Sequence, residues 1–93
     1  MSVLKVEPKA VERLRQTLRE TAEYSEDCLR IVVTQEGPEL IVDQQRPEDF
    51  LLVKEDKLLL AIDPETLDHF DGRVLHVDEA TSLLVIDKMP RKL

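Results

Sequence analysis

The stretch LLLAIDPETLDHFDG, residues 58–72, contains the clearest structural signals in this chain. Five consecutive apolar residues, 58–62, predict a buried strand. Asp63 can accept backbone N–H bonds as a helix N-cap, and Pro64 suits the first helical position because its missing N–H has no partner there. Gly72 predicts the end of a short helix, since glycine adopts a left-handed conformation at little cost. A strand, a short helix and a turn are therefore expected to follow one another without a linker.

The residues before this stretch predict a longer helix and then strands. The pair Glu7-Pro8 marks the helix start, because proline is tolerated in the first turn. An apolar stripe with three- and four-residue spacing follows, formed by Val11, Leu14, Leu18 and Ala22. From residue 28 the apolar period changes to that of strands. We expect the stripe to pack against these strands at Ile31, Val33, Leu60 and Ile62.

Short apolar segments predict the remaining strands, which are bounded by glycine, proline or charged residues. Together with the segment before Asp63, the predicted strands are residues 3–6, 29–33, 40–42, 50–53, 74–77 and 83–86. The sequence contains no internal repeat and no low-complexity linker. We therefore expect a single domain over residues 1–93.

The distribution of charge restricts the partners of this protein. The formal net charge is −7, and residues 31–87 carry fourteen acidic but only four basic side chains. Such a surface repels phosphate backbones, so we expect no nucleic-acid partner unless the helix and the terminal Lys88, Arg91 and Lys92 form a separate basic patch. No apolar run approaches the roughly 18 residues that span a bilayer, and no leader pattern is visible. We expect a cytoplasmic protein without a membrane partner.

Catalytic motifs are absent from the sequence. It contains no Gly-x-Ser-x-Gly elbow, and its two glycines cannot form a phosphate-cradling loop. Carboxylates are numerous, but the pairs Glu48-Asp49, Glu55-Asp56 and Asp78-Glu79 fall in predicted loops, where charge most simply serves solvation. We therefore expect that the protein is not an enzyme.

Residues that could bind a metal are few. Cys28 is the only cysteine, so one chain can form neither a disulfide nor an all-cysteine metal site. We expect it to be half-buried at a strand edge, with a redox-sensitive thiol or an intermolecular contact as alternatives. His69 and His76 have three aspartates nearby in sequence, Asp68, Asp71 and Asp78. Their predicted helix and strand positions turn these side chains in different directions, which favours solvated histidines over a metal site.

The order of the predicted elements, read with several short motifs, resembles the HesB-like, A-type iron–sulfur cluster carriers. The similar segments are Pro-Glu-Asp-Phe at 47–50, the apolar strand and aspartate at 59–63, and Phe-Asp-Gly at 70–72, which resembles the family's leucine-aspartate-glycine turn. Ala10 and Leu29-Arg30 are also similar to family positions. The resemblance covers most of the chain. It implies an α+β fold with mixed, mostly antiparallel sheets in a half-barrel or sandwich, one N-terminal helix and one short helix.

The three cysteines with which the family holds iron have no counterpart in this sequence. One family cysteine lies in a glycine-rich loop near the position of residues 35–38, which are Gln-Glu-Gly-Pro here. The other two form a cysteine-glycine-cysteine pair after an asparagine-proline that Met89-Pro90 resembles. Iron–sulfur clusters need soft thiolate ligands, usually four around one cluster.

These observations lead to an expected function and to alternatives. We expect a non-catalytic HesB-like scaffold that acts through protein contacts, accessory to iron–sulfur cluster biogenesis, and that binds no cluster, metal or cofactor itself. One alternative is an iron or iron–sulfur carrier that uses Cys28 across a dimer. Another is a small-molecule sensor with a pocket between helix and sheet. The partner protein is not indicated, and we expect a monomer or a weak homodimer.

Overall fold

A computed structural model describes the backbone of residues 4–88 and the side chains of residues 4–87. Val3, the Met89-Pro90 segment, Arg91 and Lys92 lie outside the described residues. Within them the elements follow the order β1 (Lys5–Val6), α1 (Pro8–Thr21), β2 (Asp27–Thr34), β3 (Gly37–Gln44), β4 (Phe50–Lys54), β5 (Lys57–Ile62), α2 (Pro64–His69), β6 (Arg73–Val77) and β7 (Leu84–Lys88).

The strands form two sheets. The smaller sheet has the order β1-β6-β7 and the larger one β3-β2-β5-β4. Three neighbouring pairs are antiparallel, whereas β1 with β6 and β2 with β5 are parallel. Over residues 4–88 neither sheet closes into a barrel. The predicted α+β fold with mixed, mostly antiparallel sheets is confirmed.

Helix α1 packs its apolar stripe against both sheets, on β2, β5 and β6. The buried residues of the helix are Ala10, Val11, Leu14 and Leu18, while the predicted Ala22 is half-buried at the C-cap. The start of the helix is fixed to β6, because the Glu7 N–H donates to the Leu75 carbonyl at 3.0 Å. Neither helix in the described part of the chain is long and apolar enough to cross a membrane.

Helix α2 begins and ends where its capping residues predict. The Asp63 carboxylate accepts the Thr66 N–H at 2.9 Å and the Thr66 hydroxyl at 3.0 Å, so a first-turn donor is satisfied. Phe70 at the C-cap is buried, and Gly72 follows with φ 76°. The left-handed conformation expected for this glycine is confirmed, and it directs the chain into β6.

A β-bulge adjusts the larger sheet beneath the helix. Leu52 pairs with Leu60 and Val53 pairs with Leu58, so Leu59 is the extra residue on β5. A bulge interrupts the strict alternation of side chains along a strand. This explains why Leu59 and Leu60, although consecutive, are both completely buried in the same core cluster.

The prediction that Val33 packs under the helix is wrong, whereas Ile31, Leu60 and Ile62 are buried as expected. Val33 is 48 % exposed. Strand β2 pairs with β5 only at Leu29 and Arg30, but its pairing with β3 continues to Thr34. The end of this hairpin therefore extends beyond the rest of its sheet. The alternation of apolar residues along a strand does not indicate how far the strand extends beyond its neighbours.

The core under α1 provides a test of the fold. Leu14 is 0 % exposed, so Leu14→Ala should lower the free energy of unfolding by about 2–5 kcal/mol, through lost apolar burial and the cavity left behind. Leu83→Ala is the matched control, because Leu83 is 57 % exposed. Urea unfolding followed by circular dichroism measures both variants. Equal, small losses would contradict the burial of the stripe.

Candidate functional site

Arg30 is the centre of a buried polar cluster on β2. Its guanidinium donates four hydrogen bonds: from Nε to Asp43 Oδ2 at 2.7 Å, from Nη1 to Asp49 Oδ1 at 2.9 Å, and from Nη2 to Asp49 Oδ2 at 2.6 Å and to the Gln44 carbonyl at 3.0 Å. The side chains of Arg30 and Asp49 are only 2 % and 1 % exposed. The bidentate contact with Asp49 is the geometry in which a guanidinium binds a carboxylate most strongly.

The loop between β3 and β4 is organised around Asp49. One carboxylate oxygen of Asp49 accepts the Arg46 N–H at 2.7 Å, and the Asp49 N–H donates to the Arg46 carbonyl at 3.1 Å. Arg46 also donates to Asp43 from its side chain at 3.2 Å. The expectation that Glu48-Asp49 serves solvation is thus wrong for Asp49, although Glu48 is exposed. A tertiary partner, rather than loop position, decides the role of this carboxylate.

The charges within the cluster stabilise one another. The hydrogen bonds from Arg30 hold the pKa of Asp49 below its ordinary value. The pKa of Asp43 is also lowered, first by the Gln44 N–H and then by Arg30. Hydrogen bonding to Asp49 in turn raises the pKa of Arg30. All three groups therefore stay charged at neutral pH. The positive charge of Arg46 compensates the negative charge of Asp43.

Cys28 lies close to this cluster but is inaccessible. It is 0 % exposed on β2, whose neighbours are β3 and β5, so the expected half-buried position at a strand edge is wrong. Burial raises the pKa of the thiol, and nearby Arg30 acts in the opposite direction. Since the thiolate is the form that binds metals and attacks disulfides, burial disfavours both reactions.

The loop where the family resemblance places a cysteine is a tight turn in this chain. Gln35 and Glu36 form the connection of the β2–β3 hairpin, and the Thr34 hydroxyl accepts the Glu36 N–H at 3.1 Å and donates to the Gly37 carbonyl at 3.0 Å. At about 3.3 Å per strand residue, Cys28 lies roughly 23 Å away along the hairpin. A buried thiol at that distance does not fit an iron–sulfur cluster at this loop.

The two histidines do not converge on a metal-binding arrangement. His69 is exposed and stacks edge-on against Phe70, with ring centroids 4.9 Å apart. His76 lies on β6, where its Nε2 is 3.9 Å from Asp87 Oδ2. Asp68 and Asp71 are exposed on and after α2. Across the described side chains, no group of three or more histidine, cysteine, aspartate or glutamate residues could hold a metal ion.

An apolar cavity lies between the β2–β3 hairpin and the smaller sheet. It measures about 180 Å³ and is lined chiefly by Ile31, Leu40, Leu75, Leu84 and Ile86. Pockets that bind small molecules usually measure about 300–1,000 Å³. The cavity is smaller than such pockets and does not lie between helix and sheet. A larger groove of about 430 Å³ does lie there, between α1 and the β4–β5 hairpin, but most of its lining residues are charged, unlike the mainly apolar lining of small-molecule pockets.

Asp27 has a structural role that the sequence interpretation missed. Its carboxylate accepts the backbone N–H groups of Glu23 at 2.9 Å and Tyr24 at 3.0 Å, so it fixes the chain between α1 and β2. These hydrogen bonds lower the pKa of Asp27. An aspartate five residues after Ala22, the last residue of the predicted helical stripe, was the available signal, because aspartate commonly binds nearby backbone N–H groups.

Comparisons with known proteins agree with this fold. No protein-family model matches the chain, and no curated protein matches it by sequence. Among solved structures, it is similar to the crystal structure of Escherichia coli SufA, which is involved in the biosynthesis of iron–sulfur clusters. The TM-score is 0.54 and the identity 14 %, and the match covers 91 % of this chain and 79 % of SufA. At this identity the likeness shows the fold, which is the HesB-like fold.

The contact between Arg30 and Asp49 generates a stability prediction. Asp49→Asn keeps the size of the side chain but leaves a buried guanidinium with one charged partner fewer, so the free energy of unfolding should fall by about 3–5 kcal/mol. Glu48→Gln, at the adjacent exposed position, should change it by less than about 0.5 kcal/mol. Urea unfolding at neutral pH measures both. A small loss for Asp49→Asn would show that the cluster is not a structural centre.

The aspartates also predict how stability depends on pH. The pKa values of Asp27, Asp43, Asp49 and Asp63 are lowered in the folded state. The unfolded chain, with aspartate pKa values near 3.9, therefore binds more protons as the solution becomes acidic. Their stabilisation should be complete above about pH 5 and should disappear as the pH falls through the folded-state pKa values. The free energy of unfolding, measured from pH 7 to about pH 2.5, tests this. Its decline should be shallower in Asp49→Asn, because that variant lacks one of the four titrating groups. A free energy of unfolding that does not change with pH in the unsubstituted protein would contradict the prediction.

Proposed function

We propose that this chain is a non-catalytic scaffold that acts through protein contacts, accessory to iron–sulfur cluster biogenesis, and that it binds no cluster itself. The likeness to SufA supports the connection with cluster biogenesis. The absence of thiol ligands from the sequence, apart from Cys28, supports the second part. In this proposal the chain shares the fold of an iron–sulfur biogenesis protein but lacks the thiol ligands that bind a cluster.

The burial of Cys28 is the observation that carries the proposal. A carrier that shares a cluster across a dimer would have to present this thiol at a surface, but its side chain is 0 % exposed and its pKa is raised. One thiol per chain also supplies only two per dimer, whereas clusters usually have four thiolate ligands. Exposed carboxylates could add oxygen ligands, but these are harder donors that favour a bare cation over a sulfide cluster.

Anaerobic reconstitution with iron and sulfide tests the proposal. After gel filtration the protein should be colourless and should contain neither stoichiometric iron nor acid-labile sulfide, because no set of thiolates can hold them. SufA treated in parallel is the positive control for the chemistry. The melting temperature of the chain should also be insensitive to chelator, since a metal bound only by the folded state would raise it.

Two results would contradict the proposal. Iron and sulfide that co-elute with the protein, and that are lost in Cys28→Ser, would establish the alternative carrier that uses Cys28 across a dimer.

Affinity capture from the native host under reducing conditions tests whether the chain acts through protein contacts. A reproducible partner from the iron–sulfur assembly proteins is expected, and a chain that captures no such partner would contradict a role through protein contacts in this process.

A further inference from the structure

A basic groove lies between the C-terminal half of α1 and the β4–β5 hairpin. It measures about 430 Å³. Its charged lining consists of Arg15, Arg19, Lys54, Lys57 and a single carboxylate, Glu55. Beneath these charges lie two leucines of the core, Leu18 and Leu59. Two elements that are distant in sequence thus bring four cations to one side of an acidic protein.

The cations of this groove are largely without partners. Arg15 contacts Glu12 at 3.3 Å and Glu55 at 3.8 Å. Among the described side chains, no carboxylate lies within 4.0 Å of Arg19, Lys54 or Lys57. These three residues are exposed. The contrast with the rest of the chain is large, because residues 31–87 contain only four basic side chains and two of them are in this groove.

The hairpin that carries the two lysines is held in an unfavourable arrangement. Lys54 and Lys57 are direct partners in the antiparallel register, and like charges at such positions repel. The two residues between them, Glu55 and Asp56, have φ values of 53° and 63°. Glycine and asparagine are preferred in that left-handed conformation, and other residues adopt it at a cost. An anion placed between the lysines would relieve their repulsion.

We infer that this groove binds an acidic segment of a protein partner. The groove is within the size range of pockets that hold ligands much larger than a single phosphate. A nucleic acid would continue beyond the groove as an unbroken line of charge, and the formal net charge of −7 would repel it there. Carboxylates on a short segment match the four cations without extending into the acidic surroundings.

This inference rests on the proposed function, because it supplies a contact surface for a domain that acts through protein contacts. Peptide binding is measured without iron, so its failure would be distinguishable from the outcome of reconstitution and of affinity capture.

The probe is a fluorescein-labelled hexaglutamate peptide, and fluorescence anisotropy measures its dissociation constant. Binding should weaken between about 20 mM and about 150 mM salt, since exposed charges are screened within roughly 8 Å at the higher concentration.

Matched variants separate the groove from the general charge of the protein. The double variant Lys54→Gln/Lys57→Gln should weaken peptide binding at least about fivefold, which corresponds to two exposed ion pairs. Lys5→Gln/Lys9→Gln removes the same charge outside the groove and should change binding less than about twofold. Glu55→Gln removes the one carboxylate that lines the groove within the described part of the chain, and it should tighten binding. All variants alter exposed side chains, and thermal unfolding checks that each remains folded.

Three outcomes would overturn the inference. The first is the absence of peptide binding at low salt. The second is an equal loss in the two double variants, which would mean that only net charge matters. The third is tighter binding of a single-stranded thymidylate hexamer than of the peptide, if that binding is lost in the variant Lys54→Gln/Lys57→Gln. This result would assign the groove to nucleic acid. The inference would be supported if peptide binding changes in the groove variants and stays the same in Lys5→Gln/Lys9→Gln.

Discussion

The guanidinium of Arg30 connects segments that are distant in sequence. It binds Asp43 and the Gln44 carbonyl at the end of β3, and Asp49 in the loop before β4. Burying such charges is costly, and the arrangement is stable only when each charge has close, well-directed partners. These partners are present, and no buried side-chain nitrogen or oxygen in the described range lacks a hydrogen bond. The edge strand β3 and the entry to β4 therefore depend on one side chain of an inner strand.

Strand β2 separates this charged centre from the apolar core. Leu29 and Ile31 belong to the core cluster under α1, whereas Arg30 points to the opposite face because side chains alternate along a strand. Its register partner on β5 is the small residue Ala61, which is completely buried. The same alternation places Cys28 on the charged face, where burial rather than a nearby cation dominates its pKa. Position within the sheet thus explains why the thiol is protected.

The distribution of ligands and charges connects the fold with the proposed function. The fold is that of SufA, but the tight turn at Gln35-Glu36 and the buried Cys28 offer no accessible thiol. What the surface offers instead is contrast in charge, with cations gathered between α1 and the β4–β5 hairpin on an otherwise acidic chain. Such contrast favours recognition of a complementary partner and faster encounter with it. A scaffold that lacks ligands can still contribute to an assembly through this kind of contact.

Local signals were sufficient to predict the elements of this fold. The helical stripe, the Asp63 cap and the positive φ of Gly72 depend on neighbouring residues alone, and all three are present in the structure. The missing thiols are likewise evident from the sequence. Only the tertiary structure decided the burial of Asp49 and the exposure of Val33. The physical reason is that periodicity reports which side of an element a residue occupies, whereas burial and ion pairing depend on how far distant elements extend over it.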